Sequence, residues 1–383
     1  MESAMNTATL ILAPLVILLY WVISVILAGI YHAIKNMVRR VFLSHTRGNA
    51  MALRPEVPSS HPNMLEQELT IAEEQWFTLR HFFAHLFKRH TPDDVELAAS
   101  VGFIETTPTL NASMSHIVSP WLFFRLFSFS LGAFFIFYVT FIMSADINLI
   151  PGLIIIGSFA IPTSILALFF EWNTPKNVST VLLARFLIAG SALAILSALY
   201  FYSWGSAIGF RSLIIAGPVE EIAKLLAVVY LTRSLDRARY RYTLNGILFG
   251  AAVGAGFAAF ESAGFAFQGL LNNGVGGATV SIVMRGMLSP FGHIIWTAIS
   301  GGMFWLRRKV HNTIIATLID WRFLSVFSIP VALHTLWDNA PSLPYGLNYI
   351  LLGAIGWAVV FALLEVGYHE VARYSKMQGL IQK

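Results

Sequence analysis

Long apolar runs are the feature of this sequence that most constrains its fold. About nine of them are long enough to cross the hydrocarbon core of a bilayer, which needs roughly 20 apolar residues per helix. They lie at 9–31, 121–145, 148–170, 181–202, 212–232, 244–268, 283–305, 322–340 and 345–368. We therefore predict an all-α, polytopic bundle of transmembrane helices, the third of which is interrupted by Pro151 and Pro162.

Composition agrees with a membrane protein and limits the chemistry. Of the 383 residues, 56% are hydrophobic and 12% are charged, whereas soluble domains carry about 25% charged residues. The chain has no cysteine, which excludes disulfides, metal–thiolate sites and thiol nucleophiles. Any bound metal would need histidine and carboxylate ligands.

The basic residues predict the orientation of the chain in a cell membrane. The net charge of +5 comes mostly from Lys and Arg in short loops beside apolar segments, which is the positive-inside pattern and does not indicate nucleic-acid binding. The first segment is followed by four basic residues within 35–47 and preceded by none, so the N-terminus is expected outside and the C-terminus inside. The loops after segments three, five, seven and nine then hold Lys176, Arg233, Arg237, Arg239, Arg241, Arg307, Arg308, Lys309, Arg373, Lys376 and Lys383. Arg211 and Arg285 are exceptions, since both lie near the outer end of a span.

Residues 32–120 are expected to form a helical cytoplasmic insertion after the first span. The proline-rich stretch at 55–62 is typical of a linker. The sequence Thr91-Pro92-Asp93-Asp94 predicts a helix N-terminus. Either a structural cap on the membrane domain or a regulatory, partner-binding role fits this region. An interfacial amphipathic helix is predicted from the spacing of Leu79, Phe82, Phe83, Leu86 and Phe87.

Charged residues within the predicted spans are concentrated in the second half of the chain. Each costs about 2.5–3.5 kcal/mol at the centre of a membrane helix. Segment five holds Glu220, Glu221 and Lys224. Glu220 and Lys224 share a helix face, whereas Glu221 points about 100° away. An ion pair between Lys224 and a glutamate would neutralise one carboxylate and leave the other available for chemistry. The alternative is that the charged residues form a purely structural ion pair that orders the bundle.

Segments six to eight add further polar groups. Glu261 is a third carboxylate at membrane depth, and His293 follows Pro290, which should loosen the local helix. His334 and Asp338 are four residues apart on segment eight. That spacing suits two ligands of one metal, or a carboxylate that fixes the histidine tautomer.

The depth of these groups favours one shared site. Most of these polar groups on segments five to eight fall within about 10–15 Å of the outer boundary, although the helices alternate in direction. Segment six also carries Gly246, Gly250 and Gly254 at four-residue spacing, which predicts close packing with another helix.

Four motifs in order on successive helices carry a resemblance. They are Glu220-Glu221-x-x-Lys224, Phe257-x-x-x-Glu261, Gly292-His293 and His334-x-x-x-Asp338. Together they resemble the motif set of the PrsW family of intramembrane proteases, which belongs to a wider group with the CAAX prenyl endopeptidases and bacteriocin-immunity (Abi) proteins. The resemblance covers roughly residues 205–345.

The resemblance implies cleavage of a membrane-anchored substrate, such as an anti-sigma factor, on the extracytoplasmic side. It also implies a set of catalytic residues. The CAAX relatives carry His where this chain has Glu261, and Asn where it has Asp338. The implied set is Glu220, Glu221, Lys224, Glu261, His293, His334 and Asp338.

Two mechanisms remain open at this stage. In one, zinc is held by some of Glu261, His293, His334 and Asp338, while Glu220 or Glu221 acts as the base. In the other, Glu220 and a partner activate water directly without a metal, and His334 and Asp338 stabilise the tetrahedral intermediate. An ion-coupled transporter or an inactive membrane scaffold are the alternatives from other classes, and the oligomeric state is open.

The predicted organisation has five parts. They are an N-terminal transmembrane anchor (1–31), the cytoplasmic region (32–120), accessory transmembrane helices (121–202), a catalytic core (203–345) and the last helix with a cytoplasmic tail (346–383).

Overall fold

A computed structural model describes residues 78–110, 112–207, 215–339, 341, 343 and 346–381, with the isolated residues 32 and 36. All regular secondary structure in these residues is helical. The predicted first span at 9–31 and the linker at 55–62 lie outside the described residues. The all-α prediction is therefore confirmed for the part of the chain that can be described.

Twelve α-helices are formed by the described residues, together with three 3-10 turns and one π-helical turn. The 3-10 turns are Ala112–Ser115, Ile147–Leu149 and Ser289–Phe291, and the π-helical turn is Phe186–Gly190. The α-helices are α1 (Leu79–Phe82), α2 (Pro92–Ser100), α3 (Leu122–Ser144), α4 (Ile150–Trp172), α5 (Thr180–Arg185), α6 (Ser191–Ala207), α7 (Ala216–Thr232), α8 (Thr243–Leu288), α9 (His293–Arg308), α10 (Ile314–Leu318), α11 (Trp321–Asn339) and α12 (Leu347–Ile381).

Five helical stretches among the described residues are long and apolar enough to cross a membrane. They are Leu122–Ser144, Ile147–Trp172, Thr180–Gly205, Thr243–Arg308 and Leu347–Met377. The fourth contains both segments six and seven. Helix α7 has 17 residues and measures about 26 Å, less than the roughly 30 Å hydrocarbon core. The structure thus supports a helical membrane protein, and the count of nine spans and the orientation remain predictions.

Helix α8 is a hairpin of two antiparallel arms. The chain reverses at Asn273 and at Gly274, whose φ of 62° is in the left-handed region that glycine adopts without strain. Beyond the reversal, Gly277 packs against Gly269. The sequence left residues 269–282 between segments six and seven, but the reversal needs only Asn273 and Gly274, and the second helical arm begins immediately after it and not at residue 283.

The second arm of α8 ends just before Pro290, where the sequence analysis predicts a loosened helix. Helix α8 ends at Leu288, a 3-10 turn spans Ser289–Phe291, and α9 begins at His293. Proline has no N–H and clashes with the carbonyl one turn earlier, so a regular helix cannot continue through it without adjustment. The break places His293 in the first turn of α9.

Proline does not interrupt segment three, and that prediction is wrong. Helix α4 runs from Ile150 to Trp172 with Pro151 in its first turn and Pro162 inside it. A first-turn proline loses no hydrogen bond, because the N–H groups there have no partner within the helix. Pro162 is buried, and membrane helices tolerate proline where neighbouring helices pack around it.

The amphipathic helix predicted after residue 78 is also wrong in length. Only Leu79–Phe82 is α-helical, and the chain continues as turns. The Phe82 ring lies 5.5 Å from Phe124 and 6.4 Å from Trp172, so contacts with the membrane helices direct the chain here more than local periodicity does. By contrast, the predicted N-terminus of α2 is confirmed, because Thr91 caps it in a capping box with Asp94.

The glycines of α8 form its contact with α9. A Cβ atom added at Gly250 would meet the carbonyl of Thr297, and one at Gly254 would meet the carbonyl of His293. Gly246 similarly lies against Trp305. The packing interpretation of these glycines is therefore confirmed, and the two backbones approach as closely as small residues permit.

Substitution of Gly250 by Ala is expected to lower the free energy of unfolding by ~1–3 kcal/mol, because a methyl group in this contact must displace backbone. Thermal unfolding in detergent should show the lower Tm. Gly264→Ala on the same helix is the matched control, since a Cβ there meets nothing within 4 Å. Equal Tm values for the two variants would contradict the close packing.

The loops with basic residues meet at one end of the bundle. Asn177 donates to the carbonyl of Arg239 at 2.7 Å, and Lys309 pairs with Glu370 at 2.5 Å. Glu370 also accepts the Thr243 N–H at 2.7 Å, at the start of α8. The four loops predicted to be cytoplasmic therefore share one end, as the alternation of spans requires.

Candidate active site

All seven polar residues singled out from the sequence lie in one connected cluster. Helix α7 contributes three of them, α8 and α9 one each, and α11 two. Neighbouring members are joined by contacts of 2.6–4.0 Å. The convergence expected from their common depth is therefore present in the fold. The cluster members are Glu220, Glu221, Lys224, Glu261, His293, His334 and Asp338.

A fully buried ion pair forms the base of the cluster. Lys224 Nζ lies 2.6 Å from Glu221 Oε1, and both side chains have no exposed surface. The ammonium is 4.0 Å from Glu220 Oε2. Lys224 therefore pairs more closely with Glu221, three positions earlier in the sequence, than with Glu220, four positions earlier. The charge of Glu221 is thus balanced by a close contact with Lys224, whereas Glu220 has a looser contact with the same ammonium.

Glu220 presents one bound and one open oxygen. Its Oε1 accepts a hydrogen bond from the Tyr202 hydroxyl at 2.9 Å. Its Oε2 is buried and has no hydrogen-bond partner among the described residues, although His334 Nε2 lies 3.6 Å away. A buried carboxylate oxygen without a donor is costly unless a ligand supplies one.

The contact with Glu221 selects the tautomer of a neutral His334 ring. His334 Nδ1 lies 2.9 Å from Glu221 Oε1. An ionised carboxylate only accepts, so Nδ1 must carry the proton, and the neutral ring has its lone pair on Nε2. That nitrogen faces Glu220 Oε2 and Asp338 Oδ2, the latter at 3.5 Å. Glu221, not Asp338, therefore holds the tautomer, and the Trp296 ring stacks on the imidazole at 4.6 Å.

His293 is held from both sides. Its Nδ1 lies 2.9 Å from Lys224 Nζ, and its Nε2 lies 2.8 Å from Glu261 Oε2. Arg285 binds the same Glu261 oxygen and donates to Ser262 Oγ at 3.0 Å. Glu261 therefore orients His293 and is itself neutralised by Arg285.

Sequence reasoning missed the roles of Tyr202, Trp296 and Arg285. The sequence did contain a hint of the role of Arg285. A basic residue near the outer end of a span departs from the positive-inside pattern and so needs a local partner. Tyr202 and Trp296 are uncharged residues in apolar helices and carried no comparable signal.

Glu220, His293 and His334 form the group that could hold a metal ion. Each offers one ligand atom, and these atoms lie within 4.8 Å of one another. Among the described residues this set includes Glu220 and omits Glu261 and Asp338, so it differs from the ligand set expected from the sequence.

The donor set fits zinc. Two imidazoles and one carboxylate with an open fourth position are a common catalytic zinc site. The cluster holds four carboxylates against the cations of Lys224 and Arg285, so with neutral histidines it has an excess of negative charge that a divalent ion would balance. The unpartnered Glu220 Oε2 and the open lone pair of His334 Nε2 are available as ligands, whereas His293 Nδ1 would exchange its contact with Lys224 for the metal.

Comparison with protein-family models gives a match that covers the whole cluster. The model of the PrsW family intramembrane metalloproteases matches residues 161–364, more than half of the chain and every member of the cluster. No curated protein and no solved structure matches the chain.

Proposed function

This chain belongs to the PrsW family of intramembrane metalloproteases, and we propose that it hydrolyses a peptide bond of a membrane-anchored substrate at the cluster around Glu220, His293 and His334. The observation that carries the proposal is the open pair formed by Glu220 Oε2 and His334 Nε2, 3.6 Å apart and buried. Membership in a family of proteases favours an enzymatic function over transport or a purely structural role.

We assign the metal-holding role to Glu220, His293 and His334. A zinc ion bound there would activate a water molecule and polarise the carbonyl of the scissile bond. Metal-binding histidines are usually oriented by a hydrogen bond from the other ring nitrogen to a carboxylate. Glu221 fills that role for His334 and Glu261 for His293, at 2.9 and 2.8 Å.

We assign to Asp338 the role of accepting the proton from water. It lies at the rim of the cluster with 27% of its side chain exposed, and its Oδ2 is 3.5 Å from His334 Nε2. Glu221 and Glu261 are each paired with a cation, which leaves Asp338 as the carboxylate that neither binds the metal nor neutralises a cation. Lys224 supplies a fixed positive charge beside the reacting groups, where negative charge develops on the carbonyl oxygen.

The proposed cleavage position is near the extracytoplasmic face, as for an anti-sigma-factor-like substrate. Thr243 and Glu261 are 18 residues apart on one arm of α8, or about 27 Å. Thr243 contacts the end of the bundle where the basic loops meet, so the cluster lies toward the opposite end. With the basic loops in the cytoplasm, the cluster faces the outer leaflet.

Removal of metal is expected to abolish cleavage, and zinc should restore it. The purified full chain is reconstituted in liposomes with a single-span membrane protein as substrate. Elemental analysis should find about one zinc per chain, the number one such site holds, and dialysis against a chelator should stop product formation.

Two controls make this experiment decisive. The chelated protein should still unfold in one cooperative transition, at a lower Tm because a ligand of the folded state has been removed, which separates loss of metal from unfolding. Readdition of Mg²⁺, which prefers all-oxygen ligands, should not restore cleavage. Full activity in zinc-free protein would overturn the metal assignment in favour of direct water activation by Glu220, and absence of any cleavage with zinc bound would overturn the proteolytic function.

A further inference from the structure

Tyr202 lies on the face of α6 that is turned toward the cluster. Its neighbours on the same helix, Tyr200 and Trp204, are 59% and 62% exposed, as expected for side chains on a lipid-facing surface. Residues two apart on a helix point about 200° apart, so Tyr202 projects to the opposite side, against α7. It belongs to none of the four motifs that identify the site.

The Tyr202 hydroxyl makes the hydrogen bond that defines the orientation of Glu220. It donates to Glu220 Oε1 at 2.9 Å. The terminal torsion of a glutamate is soft, so without this donor the carboxylate could rotate toward Lys224, whose Nζ is 4.0 Å from Oε2. With Oε1 occupied, Oε2 stays directed at His334 Nε2.

We propose that Tyr202 is a positioning residue, which fixes the Glu220 carboxylate so that its Oε2 is presented to the metal and to the reacting groups. The proposal rests on the proposed function of Glu220. Hydrogen-bonding partners behind metal ligands typically contribute 10–100-fold to metal affinity or activity. A contribution of this size is therefore expected from one phenolic hydroxyl.

Tyr202→Phe removes the hydroxyl and keeps the ring. We expect zinc affinity, measured on the unloaded full chain by competition with a zinc-binding dye, to fall ~10–100-fold. The kcat for a single-span substrate should fall by a similar factor at limiting zinc, with KM unchanged, because Tyr202 contacts Glu220 and is not placed on the substrate.

Tyr200→Phe is the matched control. It makes the same substitution two residues away on the exposed face of α6 and should leave zinc affinity, kcat and KM as in the wild type. Values are normalised to folded protein by size-exclusion chromatography and Tm. A second test replaces Tyr202 by 3-fluorotyrosine, which retains the hydroxyl and should restore both zinc affinity and kcat.

Glu220→Gln separates failure of this proposal from failure of the proposed function. If Glu220→Gln weakens zinc binding and cleavage while Tyr202→Phe behaves as the wild type, the positioning role is wrong and the site assignment stands. If Glu220→Gln itself leaves zinc binding and cleavage intact, the site assignment fails first. A fall in kcat that 3-fluorotyrosine does not reverse would mean that Tyr202 acts through packing and would overturn the proposal.

Discussion

Glu220→Gln is expected to lower kcat for a single-span membrane substrate by ~10³-fold or more, the scale at which loss of a central catalytic group is felt. Glutamine has nearly the same shape, and its amide oxygen can still accept from Tyr202. The second terminal atom becomes an NH₂ group with no lone pair for a metal or a proton. The substitution therefore removes the chemistry of Oε2 and preserves the packing of α7.

The measurement is a time course of cleavage in proteoliposomes, with folded protein quantified by Tm and chromatography. Glu365→Gln is the control, because it neutralises another buried carboxylate, on α12, which lies 3.7 Å from His369 and outside the cluster. It should leave cleavage unchanged. Glu220→Gln with more than a tenth of wild-type kcat would refute a central role for this carboxylate.

The convergence of the cluster was predictable from the sequence because charge is costly in a membrane. Glu261 and Lys224 could be stable at membrane depth only with polar partners, and the available partners were the polar residues at the same depth on neighbouring helices. The four-residue spacing of glycines in α8 likewise predicted a close helix contact, since a row of residues without side chains on one helix face lets another backbone approach.

The pairing within the cluster was not predictable. Lys224 can reach Glu221 at three residues or Glu220 at four with equal ease on an isolated helix. The choice depends on His334, which lies 113 residues away in sequence and binds Glu221. Such a preference is set by tertiary packing, so helical periodicity alone leaves it open.

Details of the fold that depend on one residue or one contact could not be predicted from the sequence either. A connection between segments six and seven was expected from the span bounds, but its tightness depends on the positive φ of Gly274, which allows the second arm of α8 to begin at once. Helix α1 ends early because Phe82 packs on Phe124 and Trp172. Tyr202 was invisible because an uncharged phenol in an apolar helix has an ordinary lipid-facing interpretation.

Lys224→Met is expected to destabilise the protein by ~3–5 kcal/mol, the usual cost of removing one partner of a buried ion pair. The reason is the stranded charge of Glu221, which has no exposed surface and is paired with the ammonium at 2.6 Å. Thermal unfolding in detergent should show a clearly lower Tm. Lys88→Met removes an exposed lysine and should leave the Tm unchanged.

The double variant Lys224→Met with Glu221→Gln tests the physical cause. Removing both charges leaves no stranded ion, and the glutamine oxygen can still accept from His334 Nδ1, so the double variant should be more stable than Lys224→Met alone. A coupling energy between the two substitutions well above the ~0.5 kcal/mol scatter of independent sites would establish that the pair acts as a unit. If the two losses simply add, Lys224 is held by His293 and Glu220 instead, and Glu221 is then free to compete with Glu220 as the reactive carboxylate.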